Sequence, residues 1–221
     1  MNDTADSFIG KWLQRWPEWR IAEAFVPEPQ RRTATGWFAL LQELTEAAWG
    51  GADPTPGLAK LAWWHEELEG WARGRRRHPL GEVLQREEAP WTALGRALNT
   101  LPDTRGSAPD QALDALAPLA GAVAGCEADL FPGEAAAPDP ASASAAAGAA
   151  LLAERALRTA AGDDAGWLLA RWPEPVAGPV PRRLHSALLR SRLQVLAAGK
   201  PARPLPGWRV LATSWRASRG T

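Results

Sequence analysis

The chain has 221 residues, of which 46% are hydrophobic and 23% charged, and its 25 basic and 25 acidic side chains give a formal net charge of zero. This composition is typical of a globular protein and excludes a wholly disordered chain. The balanced charge argues against nucleic acid as a partner and against a polybasic membrane binder. A single cysteine, Cys126, excludes an internal disulfide framework, and its place in an apolar helical run predicts a buried side chain.

Residues 1–12 lack the basic start and apolar run of a secretory signal. No stretch approaches the ~18 apolar residues that a membrane-spanning helix needs. We therefore expect a cytoplasmic protein without a transmembrane segment, for which peripheral membrane contact stays open.

Helical patterns dominate the sequence, and no stretch has the alternating β-branched residues of a strand. Residues 31–49 carry apolar side chains at helical spacing and end at Gly50-Gly51, which predicts a first long helix. The pairs Asp53-Pro54 and Thr55-Pro56 predict the start of a second helix that runs to about Gly74. Both helices are expected to contribute core side chains, namely Trp37, Leu41, Leu44, Leu61, Trp64 and Leu68.

Residues 133–150 form a low-complexity stretch that consists mainly of Ala, Pro, Ser and Gly. Such a stretch is either a flexible linker between two domains or a loop that leads into an Ala-rich helix. The second interpretation is favoured because Asp139-Pro140 is a good helix start and Ala has the highest helix propensity. The sequence therefore predicts an all-α fold, with about eight to ten helices in a single bundle that spans residues 1–221.

Residues 58–68, Leu-Ala-Lys-Leu-Ala-Trp-Trp-His-Glu-Glu-Leu, and the following Arg77-His78-Pro79-Leu80 resemble the squalene/phytoene synthase family. Members of that family typically have Leu-Trp-Trp-Arg-Glu-Glu-Leu here, followed by a His-Pro pair. Gln42-Glu43-Leu44 falls where the family has Arg-Glu-Leu, and residues 119–131 are similar to its fourth helix. No single one of these motifs is decisive, but their order and spacing together make the resemblance specific.

The resemblance implies the isoprenoid synthase fold and the head-to-head condensation of two prenyl diphosphates. Active members hold Mg²⁺ between two carboxylate clusters that face each other across an apolar cavity. The candidate remnants of these clusters are Glu43, Glu46, Asp163 and Asp164. The candidate cavity-lining residues are Trp37, Leu41, Trp63 and Trp64. The candidate phosphate contacts are Arg75, Arg76 and Arg77.

The sequence departs from the family pattern at the metal-binding positions. Thr45, Glu46 and Trp49 stand where the first motif has Asp, and Thr159 stands where the second motif has Asp. Two Mg²⁺ clusters therefore cannot be assembled from these residues, and Mg²⁺ is expected as a cofactor only if catalysis survives. Any cavity is expected to be apolar and to open near the Glu43–Glu46 turn.

The same residues also have structural interpretations. Glu43 and Glu46 fit a solvated helix face, and Asp163-Asp164 fits the cap of the next helix. The arginine-rich residues 73–77 fit a solvated turn, and Trp63-Trp64 fits a packed core.

Three functions stay open. The first is a non-catalytic family member that binds an isoprenoid or lipid, or a protein partner, as the complex I assembly-factor branch of the family implies. The second is an active Mg²⁺-dependent prenyl transferase. The third is a Trp-rich helical interaction module outside the family. Acidic residues that face one another across a cavity would favour the active transferase over the other two functions.

Overall fold

The computed structural model describes residues 4–133 and 139–219, and its regular structure in these ranges is entirely helical. Its α-helices are α1 Ala5–Arg15, α2 Trp19–Ala22, α3 Arg31–Trp49, α4 Thr55–Ala72, α5 Gly81–Leu84, α6 Trp91–Ala97, α7 Pro109–Ala115, α8 Ala117–Leu130, α9 Pro140–Thr159, α10 Gly162–Leu169, α11 Val180–Ala197 and α12 Gly207–Ser218. Short 3-10 helices cover Glu23–Phe25, Glu28–Gln30, Leu98–Thr100 and Pro102–Thr104. The prediction of an all-α protein is confirmed.

The described residues contain more helices than the eight to ten expected, because several are short or weakly marked in the sequence. The shortest are α2 and α5, with four residues each. The helix α1, with 11 residues, begins with a capping box. The Thr4 hydroxyl accepts a hydrogen bond from the Ser7 N–H at 3.3 Å, and the Ser7 hydroxyl accepts one from the Thr4 N–H at 3.2 Å. These reciprocal bonds satisfy backbone donors that would otherwise lack partners.

The low-complexity stretch at 133–150 is not a loop over most of its length, because α9 begins at Pro140. The Asp139 carboxylate accepts a hydrogen bond from the Ser142 N–H at 2.9 Å and so caps the helix. Residues 134–138 of this stretch lie outside the described residues. The small side chains of α9 let it pack closely against α8. Its buried small residues include Ala146, Ala147, Gly148, Ala149 and Ala150.

The six side chains predicted for the core are all buried. Tryptophan rings supply much of this core. The Trp12 and Phe38 rings are stacked with centroids 5.5 Å apart, and Trp71 meets Trp91 edge to face at 5.2 Å. Cys126 is also buried, as predicted, and burial raises the pKa of its thiol, so the sulfur is held in its unreactive protonated form.

The close approach of α4 to α3 depends on Gly57. A Cβ atom at this position would lie only 2.0 Å from the Ala47 carbonyl oxygen, so a larger residue requires the backbone to move. This contact brings the first turn of α4 beside the last turn of α3. On its other sides α3 packs against α1 and α9.

None of the helices within residues 4–133 and 139–219 combines the length and the apolar character required to cross a membrane.

Candidate functional site

Glu43 lies in the middle of α3 with its side chain only 4% exposed. Its Oε1 accepts a hydrogen bond from Lys11 Nζ of α1 at 3.1 Å, and its Oε2 accepts one from Lys60 Nζ of α4 at 2.7 Å. Burial by itself raises the pKa of Glu43, but the two ammonium groups outweigh burial and hold the pKa below its ordinary value. The carboxylate is therefore ionised at neutral pH, with a lysine on each oxygen.

Glu46 lies about one turn further along α3 and shares the same lysine. Lys11 Nζ is 2.9 Å from Glu46 Oε2 and so bridges the two carboxylates. Burial lowers the pKa of Lys11, but the hydrogen bonds and charges of Glu46 and Glu43 raise it above its ordinary value. The interpretation of both residues as a solvated helix face is thus wrong for Glu43, whereas the Glu46 side chain is 36% exposed.

The lysine pairing of Glu43 decides whether these residues fit Mg²⁺. A magnesium ion requires oxygen ligands in a near-octahedral arrangement at about 2.0–2.1 Å. A magnesium ion bound to Glu43 would lie beside the ammonium groups of Lys11 and Lys60, which already pair with both oxygens and would repel it. Among the residues that the structure describes, no group of three or more His, Cys, Asp or Glu is arranged to share a metal ion. The residues present therefore do not fit a Mg²⁺ cluster.

Asp163 and Asp164 belong to a different ion-pair arrangement. Asp164 Oδ2 lies 2.8 Å from Arg155 Nη2, and Arg155 also donates to the Thr104 carbonyl oxygen at 2.7 Å. Asp163 is exposed. Both residues lie in the first turn of α10, where the helix dipole favours negative charge. The N-cap itself is Ala161 without a side-chain bond, so neither aspartate is the cap.

The four candidate cavity-lining residues do not line one cavity. Leu41 borders a space of about 20 Å³ beside Thr45 and His185, which is room for about one water molecule. Trp37 is fully buried, and its indole N–H donates to Glu127 Oε1 at 2.8 Å. Trp63 and Trp64 pack edge to face against each other.

Side chains of α1, α3, α9 and α11 surround this small space. His185 of α11 lies against Phe38 with ring centroids 4.4 Å apart, and Trp12 is its neighbour at 6.1 Å. Burial, reinforced by the charge of Arg182, lowers the pKa of His185 well below its ordinary value, so the imidazole is neutral at neutral pH. The interior beside Leu41 is therefore packed, and polar side chains such as Arg182 and His185 line its small space together with apolar ones.

Two buried ion pairs, which the sequence reasoning missed, fix α11 in place. Arg182 Nε donates to both oxygens of Glu127 on α8, at 3.1 and 3.0 Å. Arg192 donates to Glu18 at 2.9 and 2.6 Å, and its guanidinium lies 3.8 Å from the centre of the Trp16 ring. The sequence signal is their spacing, since both arginines share one helical face with His185 and Leu189.

The arginine-rich turn after α4 is organised by Glu67, another residue that sequence reasoning missed. Its buried carboxylate accepts hydrogen bonds from the backbone N–H groups of Arg77 at 2.6 Å and His78 at 2.8 Å. Arg77 Nε adds a bond at 2.9 Å, so this candidate phosphate contact is already paired with an acid. Arg75 and Arg76 are exposed, and neither forms an ion pair with a described carboxylate. The turn is therefore solvated at these two positions and internally bonded at Arg77.

The Lys11–Glu43–Lys60 arrangement joins α1, α3 and α4 through opposite charges that are already paired. It offers neither an uncompensated acid cluster for a metal nor a cavity for a long substrate. Comparisons of the chain with protein-family models, with curated proteins and with solved structures found no match.

Proposed function

We propose that the chain is a squalene/phytoene-synthase-like protein with an isoprenoid synthase type of helical bundle, which does not condense prenyl diphosphates. In this proposal it acts as a non-catalytic binding or assembly-type member. The observation that carries the proposal is that both oxygens of Glu43, the better buried of the candidate remnants Glu43 and Glu46, are hydrogen-bonded to lysines.

The electrostatics of the reaction support this proposal. Ionisation of a prenyl diphosphate leaves a multiply charged anion, which active enzymes of the family stabilise with Mg²⁺ held by carboxylates. Loss of one preorganised electrostatic stabiliser typically costs about 10²–10³ in rate. Here Lys11 and Lys60 compensate Glu43, and Asp164 is paired with Arg155. Several stabilising contributions would therefore be lost together.

The small volume of the space inside the bundle also favours a ligand or partner site at the surface over a ligand site in the interior. Pockets for ligands of drug size typically measure about 300–1,000 Å³. The space beside Leu41 measures only about 20 Å³. An isoprenoid chain would not fit there, so we propose that any lipid or protein partner binds at the surface.

The test is product analysis with farnesyl or geranylgeranyl diphosphate and Mg²⁺. We expect no head-to-head product above the level of a blank, from protein whose folding has been verified by circular dichroism. A product that requires Mg²⁺, is abolished by Glu46→Ala and is unaffected by the matched exposed variant Glu82→Ala would overturn the proposal. That result would establish the alternative of an active transferase.

Burial of tryptophan rings in the core limits the surface that the alternative, a Trp-rich interaction module, could use. Trp12, Trp16 and Trp19 are core residues, so the high tryptophan content is largely a packing feature. The large hydrophobic side chains that stay exposed among the described residues are Leu58, Trp208, Leu211 and Trp215. Three of these four lie on α12, which is the part of the surface that this alternative would use.

A further inference from the structure

The C-terminal part of the chain is strongly basic although the whole chain is neutral. Residues 175–221 contain nine Arg and Lys and no Asp or Glu, so this segment carries +9 and the remainder −9. Three of the nine form ion pairs with acids elsewhere in the chain, namely Arg182, Arg190 and Arg192. Five others form no ion pair with any carboxylate in the described residues, namely Lys200, Arg203, Arg209, Arg216 and Arg219.

The helix α12 has two different faces. Val210 and Ser214 are buried, and the helix packs against α11 and α2. The opposite face carries Trp208, Leu211 and Trp215, which are 67%, 51% and 49% exposed. Their spacing of three and four residues aligns them in one row along the helix. An exposed row of two tryptophans and a leucine is unusual for a surface that faces only water.

Arginines flank this apolar row. The Arg209 guanidinium lies 5.2 Å from the centre of the Trp208 ring, and the Arg219 guanidinium lies 4.1 Å from the centre of the Trp215 ring. Arg216 is also exposed. We define the α12 surface as these six residues, Trp208, Arg209, Leu211, Trp215, Arg216 and Arg219.

A groove of about 1000 Å³ lies beside the α12 surface, between α12 and α11. Its walls include Arg209 and Arg216 from α12 and Lys200 from the preceding connection. Its acidic lining residue is Glu174, which is already paired with Arg190. The groove therefore continues the positive charge of the α12 surface and has room for an anionic head group.

We propose that the α12 surface docks on an anionic lipid bilayer. Trp208, Leu211 and Trp215 lie at the boundary between head groups and acyl chains, and Arg209 and Arg216 bind lipid phosphates. The combination of Trp and Leu on the exposed face with arginine beside it is the pattern of helices that lie in a membrane interface. Arginine also pairs well with phosphate oxygens. This inference does not depend on the proposed function, because it uses none of the residues around Glu43.

Charge argues against a second copy of the chain as the occupant. A symmetric contact would place the same patch of each copy face to face. The arginines of one α12 surface would then meet those of the other, with no acid in residues 175–221 to compensate them. An anionic bilayer satisfies both the apolar row and the positive charge.

The test is vesicle flotation of the full chain with phosphatidylcholine vesicles and with vesicles that also contain phosphatidylglycerol. We expect binding only to the anionic vesicles, and weaker binding as salt is raised. Each arginine near an anionic surface contributes about fivefold, so Arg209→Gln with Arg216→Gln should weaken binding about 25-fold. Trp208→Ser with Trp215→Ser should weaken it by a similar factor. All four side chains are exposed, so these variants should keep the unfolding transition of the parent chain.

The matched control is Arg75→Gln with Arg76→Gln, which removes two exposed arginines from a different surface. This variant should bind anionic vesicles within about twofold of the parent, because charge away from the membrane contributes little. No binding to anionic vesicles, or equal losses in the control and in the α12 variants, would overturn the inference. It would also be overturned by a dimer in solution that Trp208→Ser dissociates, or by tighter binding to an oligonucleotide than to vesicles.

Discussion

Lys60 of α4 and Glu43 of α3 form a hydrogen-bonded ion pair, with Nζ 2.7 Å from Oε2. The pair forms because α4 starts directly against the end of α3, where Gly57 leaves room for the Ala47 carbonyl group. Lys11 reaches the other oxygen from α1. Glu43, a candidate remnant of a metal-binding motif, thus joins three helices through ion pairs.

Glu43→Gln should destabilise the chain by about 1–3 kcal/mol at neutral pH, because it removes a buried charge partner of two lysines. The folded-state pKa of Glu43 is lowered, so its contribution is fully present above the unfolded pKa of about 4.3 and is lost as pH falls through the folded value. The difference in unfolding free energy between the two chains should therefore shrink in acid.

Urea unfolding at neutral pH and below about pH 4 measures this difference. The control is Glu46→Gln, which removes a more exposed partner of Lys11 and should cost less. A difference that is independent of pH would contradict the role assigned to the Glu43 charge.

Gly57→Ala should destabilise the chain by about 1–3 kcal/mol, since the new methyl group would overlap the Ala47 carbonyl oxygen. The matched control is Gly10→Ala in α1, where no atom lies within 4 Å of the new Cβ. There the higher helix propensity of Ala should stabilise the chain by about 0.5–1 kcal/mol. Thermal unfolding should show shifts of opposite sign, and shifts of the same sign would disprove the close approach of α4 to α3.

Trp64→Ala should cost about 3–5 kcal/mol, because it leaves a cavity beside Trp63, Trp71 and His78. Trp208→Ala on the exposed face of α12 is the matched control and should change stability by about 0.5 kcal/mol or less. Denaturant titration gives both values. A loss below about 1 kcal/mol for Trp64→Ala would mean that α4 does not belong to the core.

Glu67→Ala should destabilise the chain by about 2–4 kcal/mol, because the buried indole N–H of Trp71 and the partly buried backbone N–H groups of Arg77 and His78 lose their acceptor. Its neighbour Glu66 is the matched control, since it is largely exposed and lies 3.7 Å from Arg77. Glu66→Ala should cost about 0.5 kcal/mol or less. Equal losses in chemical denaturation would show that the turn does not depend on Glu67.

The elements that could be predicted from the sequence are those whose signals are local. The helix α3 has the predicted bounds because prolines precede it and Gly50-Gly51 follows it. The core positions of α3 and α4 follow from helical spacing of Trp and Leu. Helix α9 begins where Asp139-Pro140 indicates, because an N-cap acts over only a few residues.

The partners of the candidate site could not be predicted because they come from distant parts of the chain. Lys11 is 32 residues from Glu43 and belongs to the separate helix α1. Arg182 and Arg192 were missed for a different reason: Arg is ordinarily exposed, and only a buried acid keeps it inside. Their acids, Glu127 and Glu18, are 55 and 174 residues away.

The central claim is that lysines, not metal ions, neutralise Glu43 and Glu46. Titration of the purified chain with Mn²⁺, followed by the paramagnetic signal of the free ion, tests it most directly, since Mn²⁺ binds the same oxygen ligands as Mg²⁺. We predict no stoichiometric site in the parent chain, and weak Mn²⁺ binding only after Lys11→Met with Lys60→Met frees the carboxylates. A tight stoichiometric site in the parent chain that Glu43→Gln abolishes would contradict the account.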